Sequence, residues 1–340
     1  MDRKPNRSSG ARERPYFLIT IDTEGDNLWS KPREITTRNA KFLPRFQALC
    51  ETYRLKSTYL TNYEMATCHE FQEFGLDILR RATGEIGMHL HAWNSPPVVP
   101  LTEDDYAYQP YLMEYPQQLM RDKIVYLTDV LEQTFAVIMT SHRAGRWGFN
   151  EVYARILAEE GYRVDCSVTP RVSWKYDMGD PQNSGGTDYS PFPDRPYFLN
   201  LEDIQQPGRS SLLEVPVTIL SLLPASLARL QCSVGPRSLA GRVVNHFFPS
   251  ACWLRPKRGN LNLMLRILRL ARRQHHECVE FMLHSSEFMP GGSPSFPRTD
   301  DIERLYGDLE VLFEHASKEF QGATLTEFAR RFMDRESVRD

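Results

Sequence analysis

Tyr16-Phe17-Leu18-Ile19-Thr20-Ile21-Asp22-Thr23-Glu24 is the stretch on which the reading of this chain turns. An apolar run suited to a buried strand leads directly into two carboxylates separated by one residue. Side chains alternate along a strand, so Asp22 and Glu24 share a face. A second stretch repeats the pattern: Glu85-Ile86-Gly87-Met88 leads into His89-Leu90-His91, again with like residues two apart. Two carboxylates and two imidazoles leaving the ends of neighbouring strands make a donor set for a divalent metal. That chemistry points to a hydrolytic metalloenzyme.

Outward from these anchors, strand-like and helix-like stretches alternate, which predicts an α/β fold. Helical periodicity through Phe42, Leu43, Phe46, Leu49 and Cys50 follows the first strand, and Ser57–Leu60 reads as a second. Phe71–Ala82 and Gln117–Phe135 read as helices, and Val137–Ser141 as a short strand. Asn150 is a good N-cap for a helix reaching Glu160, and Gly161 is placed to end it. Arg163–Cys166, Leu212–Ile219 and Cys278–Leu283 read as strands, Leu261–Arg273 and Asp301–Phe320 as helices. About seven strands alternating with helices suit an irregular (β/α) barrel, with its site at the C-terminal ends of the strands. The polar loop 93–116 lies beside that end and reads as a lid or substrate wall.

The expected organisation is one domain over 15–335, after a disordered tail 1–14, with loop insertions near 93–116, 169–196 and 222–260. A formal net charge of −3 gives no general reason to expect a nucleic-acid partner. Arg255, Lys257 and Arg258 form a small basic cluster that reads as a solvated loop. The six cysteines are far apart and none forms a Cys-x-x-Cys pair, so reduced thiols in a cytoplasmic protein are the simplest reading. The first residues lack the apolar core of a secretory signal, and no run is long enough to span a membrane.

The strand ends, taken in order, carry Asp22 and Glu24, His89 and His91, Arg143, Asp165 and His284. In this order the chain resembles the polysaccharide deacetylases of carbohydrate esterase family 4, the NodB-homology family. The resemblance rests on Thr20–Asp26, Glu85–His91, Arg143–Gly148, Asp165–Ser167 and Leu283–Ser285. It implies a NodB-like deacetylase barrel and a divalent metal, Zn²⁺ first, held by Glu24 (or Asp26), His89 and His91. It further implies Asp22 as general base, Arg143 orienting that Asp, Asp165 holding Arg143, and His284 as general acid. Trp93 and Trp147 read as sugar-facing walls or core aromatics, and Leu283 as a substrate contact. His142 reads as a packing neighbour of Arg143. The chain departs from the family pattern in having Thr23 after Asp22, and Trp93 where the second histidine usually stands.

The implied activity is removal of an acyl group, N-acetyl first, from a carbohydrate. Two other readings stay open. One is a deacetylase-like module that binds carbohydrate without catalysis. The other is a metal-dependent amidohydrolase acting on a small non-sugar amide, although amidohydrolase barrels carry His-x-His on the first strand and here it comes third.

Overall fold

The computed structural model describes residues 14–30, 34–177, 179, 185–222 and 251–337. Seven parallel strands form the body of the sheet: β1 (Tyr16–Thr23), β2 (Ser57–Thr61), β3 (Gly84–Leu90), β4 (Ser141–Ala144), β5 (Val164–Asp165), β8 (Leu213–Glu214) and β11 (Cys278–His284). They lie in the order β11-β1-β2-β3-β4-β5-β8. A hairpin of β6 (Tyr197–Asn200) and β7 (Asp203–Pro207) extends the sheet antiparallel beyond β8. The short β12 (Gln321–Ala323) pairs with the start of β1. The sheet curls, and the gap between β8 and β11 is bridged at Thr218, whose N–H donates to the Glu280 carbonyl at 3.3 Å. The Glu280 N–H returns a bond to Thr218 Oγ1 at 2.8 Å. This is the irregular, seven-strand α/β barrel that the sequence predicts.

Strand alternation sorts the core into two shells. Phe17, Ile19 and Ile21 point outward and pack with Phe281, Phe313 and Phe320 under the surrounding helices. Each such fully buried side chain stabilises the fold by about 1.5–3 kcal/mol. Tyr16 and Leu18 point inward, with Leu60, Val164, Cys166, Leu213 and Cys278. The last helix, Leu325–Ser337, closes the bottom of this inner shell with Leu325, Phe328 and Ala329. Thr20 and Asp22 continue the inward row toward the other end.

The helices Gln117–Phe135 and Leu261–Arg273 have the expected limits. Asn150 caps the next helix as expected, its side chain accepting from the Tyr153 N–H, and Gly161 has φ +88°. Three elements differ. The strand expected at Val137–Ser141 is Ser141–Ala144, because Ala136 adopts φ +53° and the chain spends residues 136–140 turning out of the helix. The strand expected at Leu212–Ile219 is split into β8 and β9 (Ile219–Leu220), with Pro216, which has no N–H to donate, between them. Loop 93–116 is not wholly irregular, since Asp105–Tyr108 forms one helical turn. The expected tail 1–14 lies outside the described residues except for Arg14, which donates to the Ser317 carbonyl. Most of the expected insertion 222–260 also lies outside them; its end contains β10 (Cys252–Trp253), paired antiparallel to β9.

Candidate active site and metal centre

Register brings the predicted residues to one end of the barrel. Asp22 pairs with His284 on one side and Leu60 on the other, and His89 pairs with Arg143. Glu24, two residues past Asp22, is held by its backbone. Its N–H donates to Ser285 Oγ at 3.0 Å, and its carbonyl accepts from Asn39 Nδ2 at 2.8 Å. Its carboxylate Oε2 is 3.3 Å from His91 Nε2 and 3.6 Å from His89 Nε2, and the two nitrogens are 2.9 Å apart. All three side chains are buried.

Tetrahedral zinc with bonds near 2.0–2.1 Å sets its ligand atoms about 3.3 Å apart, so these separations suit a small divalent cation. The donor set fits as well. His89 Nδ1 lies 3.0 Å from the Arg143 carbonyl, which accepts its N–H and turns Nε2 toward the cluster. Among the described residues, buried His91 Nδ1 has no hydrogen-bond partner, and the Trp93 ring lies over its imidazole with centroids 4.5 Å apart. Asp26, the alternative ligand, turns away: its carboxylate accepts from Thr36 Oγ1 and, at 2.9 Å, from Arg38 Nε.

Asp22 meets the second part of the site. Arg143 Nη1 donates to its Oδ1 at 2.5 Å, and His284 Nε2 is 3.7 Å from its Oδ2. Burial would raise the Asp22 carboxyl, but Arg143, His89 and His284 outweigh it and hold it below the usual carboxylate range. Arg143 is wholly buried, and its other contacts are Glu280 Oε1, Thr20 Oγ1 at 2.9 Å and the Cys166 carbonyl at 3.1 Å. Burial pushes Glu280 up to about 7, even beside Arg143.

The expected Asp165–Arg143 contact is absent, and alternation explains why. Asp165 is in register with His142, one residue before Arg143, and therefore lies on the opposite face. Its Oδ2 is 2.6 Å from His142 Nδ1, and His142 Nε2 is 2.8 Å from the Tyr153 hydroxyl. Burial and the neighbouring Asp165 push the Glu214 carboxyl well up. The acid that partners Arg143 in the expected manner is Glu280, a charged residue inside an apolar strand, which was a signal the sequence offered.

His284 is flanked on its far side by residues that the motifs did not single out. Its Nδ1 is 3.0 Å from Arg255 Nη2 and 3.6 Å from Glu287 Oε2. Burial would raise Glu287, but Arg255 and His284 draw it down to about 2, so it is ionised. Arg255 is thus only 18% exposed and part of the site, not of a solvated loop. Arg258, from the same cluster, pairs with Asp301.

A cavity of about 520 Å³ opens above this floor. Trp93 and Trp147 line it, joined by Tyr106 and Tyr111 from loop 93–116 and Trp174 from loop 169–196. Trp147 stacks on Trp174 with an interplanar angle of 13°, and Arg143 Cζ lies 5.0 Å from its ring centroid. Leu283 is not at the wall. It is fully buried in the outer shell, because the alternation that turns His284 inward turns Leu283 out.

No family model matches the chain, and no curated protein matches it. Solved structures do. A candidate polysaccharide deacetylase from Mycobacterium smegmatis aligns over 96% of this chain and 93% of its own, with TM-score 0.51 and 14% identity. A candidate glycoside hydrolase/deacetylase from Parabacteroides distasonis aligns over 95% and 72%, with TM-score 0.59 and 11% identity. The fold is therefore that of the NodB-like, polysaccharide-deacetylase type of barrel.

Proposed function

We propose that residues 15–335 form a metal-dependent hydrolase that removes an acyl group, N-acetyl first, from a carbohydrate. The observation that carries this is the Asp22 carboxylate, held ionised between Arg143 and His284 and set directly against the Glu24–His89–His91 donors at the floor of an aromatic-walled cavity. Glu24, His89 and His91 would hold the cation, and two imidazoles with one carboxylate suit Zn²⁺. When bound, such an ion polarises an acyl carbonyl and acidifies water.

Asp22 accepts the proton of the attacking water through Oδ2, its other oxygen being tied to Arg143. Arg143 keeps that carboxylate charged and fixed in direction. His284 presents Nε2 to the same space, while its Nδ1 faces Arg255 and the ionised Glu287, which fix the direction of the ring. It then protonates the departing amine or alcohol through Nε2. Trp93 and Trp147 offer flat apolar faces suited to sugar rings. Cys50, Cys68, Cys166 and Cys278 are buried thiols, which suits a reducing, cytoplasmic compartment. No helix among the described residues is long and apolar enough to cross a membrane.

Elemental analysis of the purified protein and acyl release from N-acetylated sugars test the reading. Asp22→Asn should bind metal as wild type does and release acyl groups about 10²–10⁴-fold more slowly, the usual contribution of a general base. A protein with neither bound metal nor acyl release would instead be a carbohydrate-binding module. Retained turnover in Asp22→Asn would remove Asp22 as the base.

A further inference from the structure

The cavity wall carries an arginine that the mechanism does not use. Arg143 is consumed by Asp22 and Glu280, and Arg255 by Glu287 and His284. Arg146 also lines the cavity, but its guanidinium makes no hydrogen bond or ion pair among the described residues. Its Nη1 is nevertheless buried. Withdrawing a cationic N–H from water without an acceptor is costly, and a ligand that supplies one removes the cost.

The surroundings aim this group rather than merely shelter it. Arg146 and Trp147 have φ +52° and +61°, left-handed conformations that non-glycine residues seldom adopt. Gly145, just before them, is pressed onto the end of β3: a Cβ there would lie 2.4 Å from both the Leu90 carbonyl oxygen and His91 Cδ2. The turn thus stands against the strand end that carries the metal-site histidines. Arg146 Cζ lies 6.0, 5.6 and 5.9 Å from the ring centroids of Trp93, Tyr106 and Tyr111. Aromatic rings around a guanidinium hold it in place, while its N–H donors project in its plane and stay available for a two-oxygen acceptor.

We propose that Arg146 is a specificity residue that binds an anionic group of the substrate, a carboxylate or a phosphate, carried close to the acyl group. This rests on the reading of the cavity as a carbohydrate-processing site. Neutral N-acetylated chains then fill the cavity without satisfying Arg146, and acidic or phosphorylated N-acetyl sugars are its preferred ligands.

Calorimetric titration with N-acetylglucosamine, N-acetylmuramic acid and N-acetylglucosamine 1-phosphate tests this, with and without added Zn²⁺ to separate any contact between phosphate and metal. One anionic sugar should bind at least about tenfold more tightly than the neutral one, as a charge-assisted hydrogen bond supplies. Whichever prevails names the anion. The advantage should shrink as NaCl is raised. Arg146→Gln should bring the anionic sugars down to the neutral level, and Arg146→Lys should restore part of the difference. Equal binding of all three sugars, no binding of either anionic one at millimolar concentration, or an unchanged preference in Arg146→Gln would overturn the assignment. If the glutamine variant fails to fold, the wild-type salt dependence and Arg146→Lys still decide. Acyl release from the same sugars is read in parallel. Release without anion preference sinks only the role of Arg146, and anion preference without release sinks only the hydrolase.

Discussion

His142 and Arg143 are neighbours on β4, yet they anchor polar clusters of opposite character. Arg143 points into the barrel and joins Asp22, Thr20 and Glu280 in a charged network that reaches the cavity floor. His142 points outward and joins Asp165 and Tyr153 in a sealed network under the helices. Both contain a carboxylate and a basic side chain, and both are buried. Their composition does not distinguish them; the face of the strand does. Only the inner network has an ionised carboxylate, Asp22, that both lines the cavity and adjoins possible metal donors.

The comparison breaks most visibly at Arg143. Arg143→Met leaves Asp22 and Glu280 buried without their cation. The expected loss is about 3–5 kcal/mol of folding stability in denaturant titration, with acyl release abolished. A variant as stable as wild type would show that the inner charges are not held by Arg143.

The His284 end of the inner face is read through pH. Glu287 sits at about 2, below its ordinary value, so its ionised form stabilises the folded state. That contribution is complete above the unfolded carboxyl pKa near 4.3 and is lost as pH falls through the folded value, a difference worth up to about 3 kcal/mol. Glu287→Gln should lower stability at pH 7 and flatten the fall between pH 4.5 and 2 in thermal melts. An acid limb as steep as that of wild type would contradict the Glu287–Arg255–His284 arrangement.

The smallest effect belongs to the outer face. Asp165→Asn should cost about 1–3 kcal/mol of stability through the weakened His142 bond and leave acyl release nearly unchanged. Abolished release at unaltered stability would restore Asp165 to the catalytic role that its motif implies, and would erase the distinction between the two faces.

Much of this was legible beforehand. The apolar run ending in Asp22, the paired histidines and the isolated His284 all carried local signals, because alternation within one strand is a property of the chain itself. The partners of these residues carried weaker ones. Glu280 was visible as a charge in an apolar strand, and Glu287 as an acid three residues past His284, but nothing local assigned either a partner. Arg255 lay in a basic cluster whose composition suits solvent.

The sequence by itself determined which residues end the strands, which of them share a face, and hence that carboxylates and imidazoles gather at one rim. The tertiary structure alone decided the register between strands remote in sequence. That register set Asp22 beside His284, Asp165 beside His142 rather than Arg143, and Glu280 onto Arg143. The reason is that alternation is settled within a few residues, whereas pairing is settled by how the whole sheet curls and closes.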